Sequence, residues 1–173
     1  TGANNVAIGT NAMATDVYSS GTVAVGYQAL YTQNYGSGTD SLNTAVGYTA
    51  GYALTTALSD TLVGHGAGDA MTTGSYNDAF GRNALGLCTT GASNSAFGNL
   101  ALDALTTGGS NVAVGQHAGG AITTGSQNVC LGTNSGLNIT DGAYNTFVGY
   151  GSGDAMTEGD KNVAVGRGAL GAD

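Results

Sequence analysis

The chain contains no proline and no tryptophan, only three basic residues, and no apolar run long enough to cross a bilayer. Each absence excludes something. Collagen requires glycine at every third residue together with proline, and the 32 glycines here obey neither rule. Arg82, Lys161 and Arg167 stand against 11 acids, and the net charge of −8 argues against a nucleic-acid partner or an anionic membrane surface. The acids are scattered, so they serve solubility. Charged residues make up 8% of the chain and apolar residues 41%, the reverse of the balance that keeps chains disordered. There are only two cysteines, Cys88 and Cys130. They fall at different positions of the repeat described next, about 10 Å apart along a stack, too far for a disulfide. Two buried free thiols are expected, which leaves the redox compartment open.

What is present is a period. A unit of the form Asn111-Val112-Ala113-Val114-Gly115 recurs ten times, ending at Gly9, Gly26, Gly47, Gly64, Gly81, Gly98, Gly115, Gly132, Gly149 and Gly166. Successive copies are 17 residues apart, except for 21 between Gly26 and Gly47. A fixed short period predicts stacked coils and outranks any local propensity. We therefore expect an all-β solenoid, a β-roll of about ten 17-residue coils, spanning 1–173 as one repeat array. The four extra residues fall within 31–42 and predict a loop bulging from one coil, because turns absorb insertions and strands do not. The chain opens inside a repeat without a leader-like segment, so a piece of a longer protein is expected.

With the closing glycine as position 17, the other positions can be read down the stack. Position 16 is always large and apolar: Ile8, Val25, Val46, Val63, Phe80, Phe97, Val114, Leu131, Val148 and Val165. This reads as the structural core. Position 15 is alanine in seven coils (Ala7, Ala24, Ala45, Ala79, Ala96, Ala113 and Ala164), with Leu62, Cys130 and Phe147 in the others. Neighbouring strand residues point to opposite faces, so a strand apolar on both faces is dry on both. The expectation is that position 16 fills the coil and the alanine row packs against sister chains. Position 7 (Leu54, Met71, Cys88, Leu105, Ile122, Ile139, Met156) predicts a second core ladder on a second short strand. Position 13 is asparagine in eight coils, with Thr22 and Asp60 in the others, and stacked asparagines hydrogen-bond along a ladder or tolerate a left-handed turn.

The unit Asn-x-Ala-Val-Gly, best seen at 111–115 and 162–166, resembles the head repeats of trimeric autotransporter adhesins. The longer form across Thr123 to Gly136 is similar to repeats of bacteriophage tail fibres. The resemblance covers essentially the whole chain. It implies a left-handed β-roll assembled as a parallel homotrimer, intertwined or side by side, that serves as a rigid stalk or head on a virion or cell surface. The adhesin repeat is usually shorter, so a larger coil is expected here.

Catalytic chemistry finds little support. His65 and His117 are three coils apart, about 14 Å by strand spacing, and cannot share a metal. Asp69 and Asp154 share a position but lie five coils apart, so they do not make a carboxylate pair. Calcium-roll, phosphate-loop and dinucleotide signatures are missing, and no Ser–His–Asp set can be argued. No enzyme activity and no cofactor are expected.

The binding candidates are at position 1, where Tyr27, Tyr48, His65, Arg82, Asn99, Gln116, Tyr150 and Arg167 form a varied polar and aromatic row suited to host glycans. Tyr31 and Tyr35 in the insertion are a second candidate contact. The expected function is an adhesive fibre segment whose partners are itself and a host surface. A filament that stacks end to end and an ice-binding solenoid carrying Thr-Thr rows are the alternatives.

Overall fold

The computed structural model describes residues 2–171. Among them there is no helix, and the all-β solenoid is present. Ten three-residue strands stack in parallel in one sheet: β1 (Val6–Ile8), β3 (Val23–Val25), β5 (Thr44–Val46), β6 (Thr61–Val63), β7 (Asp78–Phe80), β8 (Ser95–Phe97), β9 (Val112–Val114), β10 (Val129–Leu131), β11 (Thr146–Val148) and β12 (Val163–Val165). Each pairs with the strand one coil on, in the register of the sequence repeat, as Ala79 with Ala96 and Ala96 with Ala113. The register is kept where the spacing is 21, with Ala24 opposite Ala45. The added chain contributes β4 (Thr39–Asp40), which pairs with β2 (Ser19–Ser20) in a separate two-stranded sheet.

Only one strand forms per regular coil. The second strand expected at position 7 is not there. Leu54, Met71, Cys88, Leu105, Ile122 and Ile139 are fully buried, as expected of a core ladder, but each lies outside any strand, between a turn and a bend. The cause lies in the preceding turn. Positions 2 and 4 carry left-handed residues, including Asn83 (φ 54°) and Leu85 (φ 54°). The turn they make ends with the amide at position 7 bonded back to position 4, as Cys88 N–H to the Leu85 carbonyl (3.1 Å), so that amide is not free for a strand ladder. The turn still stacks, because its amides bond to neighbouring coils, as Leu85 N–H to the Ala101 carbonyl (3.0 Å) and Thr89 N–H to the Thr106 carbonyl (2.9 Å).

The faces of the strand are the reverse of the expectation. The alanine row points into the coil, with Ala24, Ala45, Ala79, Ala96 and Ala113 at 0% exposure. It is hidden by its own chain; only Ala7 in the first coil is exposed. Position 16 points out: Ile8, Val46, Phe80, Phe97, Val114 and Val165 are exposed, and Val25, Val63, Leu131 and Val148 are only partly covered. The reason is parity. Position 13 shares a face with position 15, and the Asn side chain at 13 belongs to the interior.

That asparagine row is a continuous ladder. Asn94 accepts at Oδ1 from both the backbone N–H (3.0 Å) and the Nδ2 (3.1 Å) of Asn111, and the pattern repeats from Asn111 to Asn128 and on to Asn145. These amides are buried and satisfied, the condition under which buried polar groups are tolerated. The left-handed residue is the one before the asparagine, such as Ser93 (φ 60°) or Gln127 (φ 58°).

The interior is filled by exchange between positions 15 and 4. Ala79 and Ala96 go with Leu85 and Leu102, whereas Leu62, Cys130 and Phe147 go with Gly68, Gly136 and Gly153. A Cβ on Gly153 would stand 2.6 Å from the Phe147 ring, and one on Gly68 would stand 2.9 Å from Leu62 Cδ2. Close packing thus permits at most one large side chain per coil at this level; Ala45 with Gly51 and Ala113 with Gly119 supply none, and there Leu30, Leu62 and Leu102 of the adjacent coils take the space.

Candidate functional site

The strand geometry produces an outward ladder. Position 16 repeats in register on ten strands, so one apolar side chain stands above the next along the stack, for about 43 Å at ordinary strand spacing. Phe80 and Phe97 stack within it, ring centroids 4.9 Å apart. Position 14 shares this face but is mixed: it is valine in five coils, with Val6, Val112 and Val163 exposed and Val23 and Val129 partly covered, and polar in the other five, where Thr44, Thr61, Asp78, Ser95 and Thr146 are partly covered. The result is an apolar stripe that is one side chain wide over β5 to β8 and β11, where position 14 is polar, and two wide at β1, β3, β9, β10 and β12, where it is valine.

Two residues on, past the closing glycine, lies position 1. Here Tyr27, Tyr48 and His65 form a continuous stack, with centroids 5.0 Å and then 5.2 Å apart and planes within 16°. Lower down, the Arg167 guanidinium lies 5.9 Å over the Tyr150 ring. Arg82 and Gln116 are exposed or partly covered at the surface, while Asn99 is partly covered and its Oδ1 is buried with no donor. The fold therefore brings the eight candidates into one row. Within this stack Tyr48 has a ring on both faces, and Tyr27 and His65 on one each.

The insertion residues behave differently. Tyr31 stacks on Tyr52 (5.3 Å) against the body of the coil. Tyr35 turns its hydroxyl inward, donating to the Ala57 carbonyl and accepting from Asn43 Nδ2 (3.0 Å). Burial pushes this phenol up to about 12. Its role is as a brace inside the coil.

The remaining candidates do not converge. His65 and His117 stay on separate coils, and among the described residues no group of three metal-ligating side chains comes together. Asp69 does meet a second carboxylate, but it is Asp103, two coils on, with Gly86 between them. Together with Asn83, Leu87 and Leu100 they line a hollow of about 290 Å³ where the glycine leaves the coil bare. Burial pushes both carboxyls up, partly offset by backbone N–H groups and by His65 and His117 respectively. Position 5 read down the stack (Asp69, Gly86, Asp103) is the sequence signal for this hollow. It contains no nucleophile–base pair.

The thiols are buried and free, and burial pushes Cys88 up to about 11 and Cys130 up to about 12, so neither is a ready nucleophile. The Thr-Thr rows are unequal. Thr72, Thr89 and Thr106 give their hydroxyls to the carbonyls of Thr89, Thr106 and Thr123, which leaves only the outer row, Thr56 to Thr124, free. No helix among the described residues is long and apolar enough to cross a membrane. Compared with protein-family profiles, curated proteins and solved structures, the chain matches none.

Proposed function

We propose that the chain is a structural, adhesive segment of a fibre on a virion or cell-surface appendage, assembled as a parallel homotrimer. The observation that carries this reading is the exposed apolar stripe at position 16. Contiguous exposed apolar surface marks an interaction site. This stripe runs the length of the stack, one side chain wide where position 14 is polar and two wide where it is valine, and repeats at the coil spacing. Three such stripes converging on a common axis cover one another completely, whereas a face-to-face pair of sheets would need a broad apolar face. The inward alanine row explains why the contact uses the other side of the strand. No catalytic constellation accompanies it, and the reading requires neither enzyme activity nor a cofactor.

The position 1 row borders the stripe and stays outward in such an assembly. Three copies of its Tyr, Arg and amide groups would present a weak glycan contact many times over, so that avidity comes from valency.

Light scattering is the test. Three times the 16.8 kDa chain mass is expected. Phe80→Asp together with Val114→Asp should reduce it to the single-chain mass while the coil stays folded, since neither side chain fills the interior. A wild-type monomer would overturn the reading. Long filaments by electron microscopy would favour end-to-end stacking instead.

A further inference from the structure

The asparagine ladder has one acid in it. At position 13, Asn43, Asn77, Asn94 and Asn111 each send Nδ2–H to the carbonyl 14 residues on, at Ala57, Gly91, Gly108 and Gly125, over 2.8–3.0 Å. Asp60 stands in the same row. Its backbone N–H bonds to Asn43 Oδ1 (2.9 Å), and its own Oδ1 accepts from the N–H (2.8 Å) and Nδ2 (3.2 Å) of Asn77. Its Oδ2 is buried without a partner. The register of the ladder puts the Gly74 carbonyl opposite that oxygen, and among the described residues no group donates to this carbonyl. Two buried acceptors thus face each other where every neighbouring coil has a hydrogen bond. One proton completes the ladder.

We infer that Asp60 is held in the folded protein as a neutral carboxylic acid whose Oδ2–H donates to the Gly74 carbonyl, so that its coil is closed at acid pH and loosened as the pH rises to neutrality. The surrounding side chains favour this. Asn43 and Tyr35 lie on one side, Asn77, Asp78 and Cys88 on the other, and none is a cation. Burial, with Asp78 adding to it, lifts the carboxyl from 3.8 to about 7 against the opposing bonds from Asn77. The sign follows. The folded state holds the proton more tightly than the unfolded state, so stability is greatest below about 4, falls as the pH climbs to about 7, and is level above that. The position also matters. Asp60 lies at the junction between the insertion-bearing coils and the regular ones, so loosening it weakens the boundary between the two.

The experiment compares denaturant unfolding of wild type and Asp60→Asn at pH 4 to 8. Asparagine supplies the missing donor permanently. The ratio of wild-type to variant folding constants should fall by roughly two to three orders of magnitude across that range, because a proton held only by the folded state makes the constant fall about tenfold for each pH step between the two titrations. A ratio independent of pH would overturn the inference. In parallel, the ¹³C resonance of the Asp60 carboxyl should titrate near pH 7 in the folded wild type. A carboxylate signal at pH 5 would overturn it even if the variant did not fold.

Discussion

The first three coils and the next six solve the same packing problem with different chemistry. In the regular coils, position 7 is an apolar ladder of Leu54, Met71, Cys88, Leu105, Ile122 and Ile139, all fully buried. In the second coil and the insertion-bearing third, the same position holds Asp16 and Gln33. There the interior is a polar network. Gln33 Nε2 donates to Asp16 (2.7 Å) and Ser19 (3.0 Å), Gln33 Oε1 accepts from Asn43 Nδ2 (2.9 Å), and Thr22 meets Ser41. The two regions share the strand register, which carries the coil shape, while the side-chain ladder at position 13 runs unbroken only from Asn43, because Thr22 takes its place in the second coil. The fill is interchangeable as long as volume and hydrogen bonding are both complete.

The comparison can be broken most severely at the glycines. Gly98 has φ +145°, and a Cβ there would lie 2.5 Å from the Gly115 carbonyl oxygen. Gly98→Ala should cost more than about 4 kcal/mol and prevent stacking. Gly36 in the insertion has φ +69° with nothing within 4 Å, so Gly36→Ala should cost only about 1 kcal/mol of backbone strain. Urea unfolding at one fixed protein concentration checks both, since self-association of the kind proposed would make stability depend on concentration.

A smaller difference separates the two interiors. Leu105→Ala removes a buried rung and should cost about 2–5 kcal/mol. Gln33→Ala should cost about 1–3 kcal/mol by orphaning polar partners. Gln33→Leu should not restore stability, because Asp16 loses one of its donors and Asn43 one of its acceptors whichever apolar group is inserted. Equal or greater stability of Gln33→Leu by the same unfolding measurement would show the network to be dispensable.

The smallest effect sharpens the exchange between positions 15 and 4. Ala79→Leu alone should cost about 1–3 kcal/mol by overpacking against Leu85. Adding Leu85→Gly recreates the Leu62–Gly68 arrangement, with the glycine at a left-handed position (φ 54°). The two changes should couple favourably by about 0.5–3 kcal/mol in a double-mutant cycle. Additive costs would mean that the two walls are independent.

The coil number, the strand at positions 14–16, the buried rungs at position 7 and the stacked asparagines are all legible in the repeat. So is the position 1 row, since residues 17 apart must stand above one another once the coils stack. The second strand is not legible, because an apolar residue flanked by threonines has strand propensity, while the left-handed turn before it carries leucine and asparagine as well as glycine. Cys88 and Cys130 are legible as free and buried from their spacing alone. The hollow between Asp69 and Asp103 escapes a pairing of carboxylates down one position, because it depends on where a glycine opens the wall between them.

Periodicity alone determined that this chain stacks, since a residue type recurring every 17 positions can be satisfied in register by its own copies. Only the tertiary structure decided which face of the strand is inside. Alternation says that positions 15 and 16 point apart and nothing about which way. The direction is set by closure of the coil: left-handed residues at positions 2, 4 and 12 bend the chain toward the alanines, and the buried asparagine at position 13 needs the same side. The larger side chains are thereby turned outward.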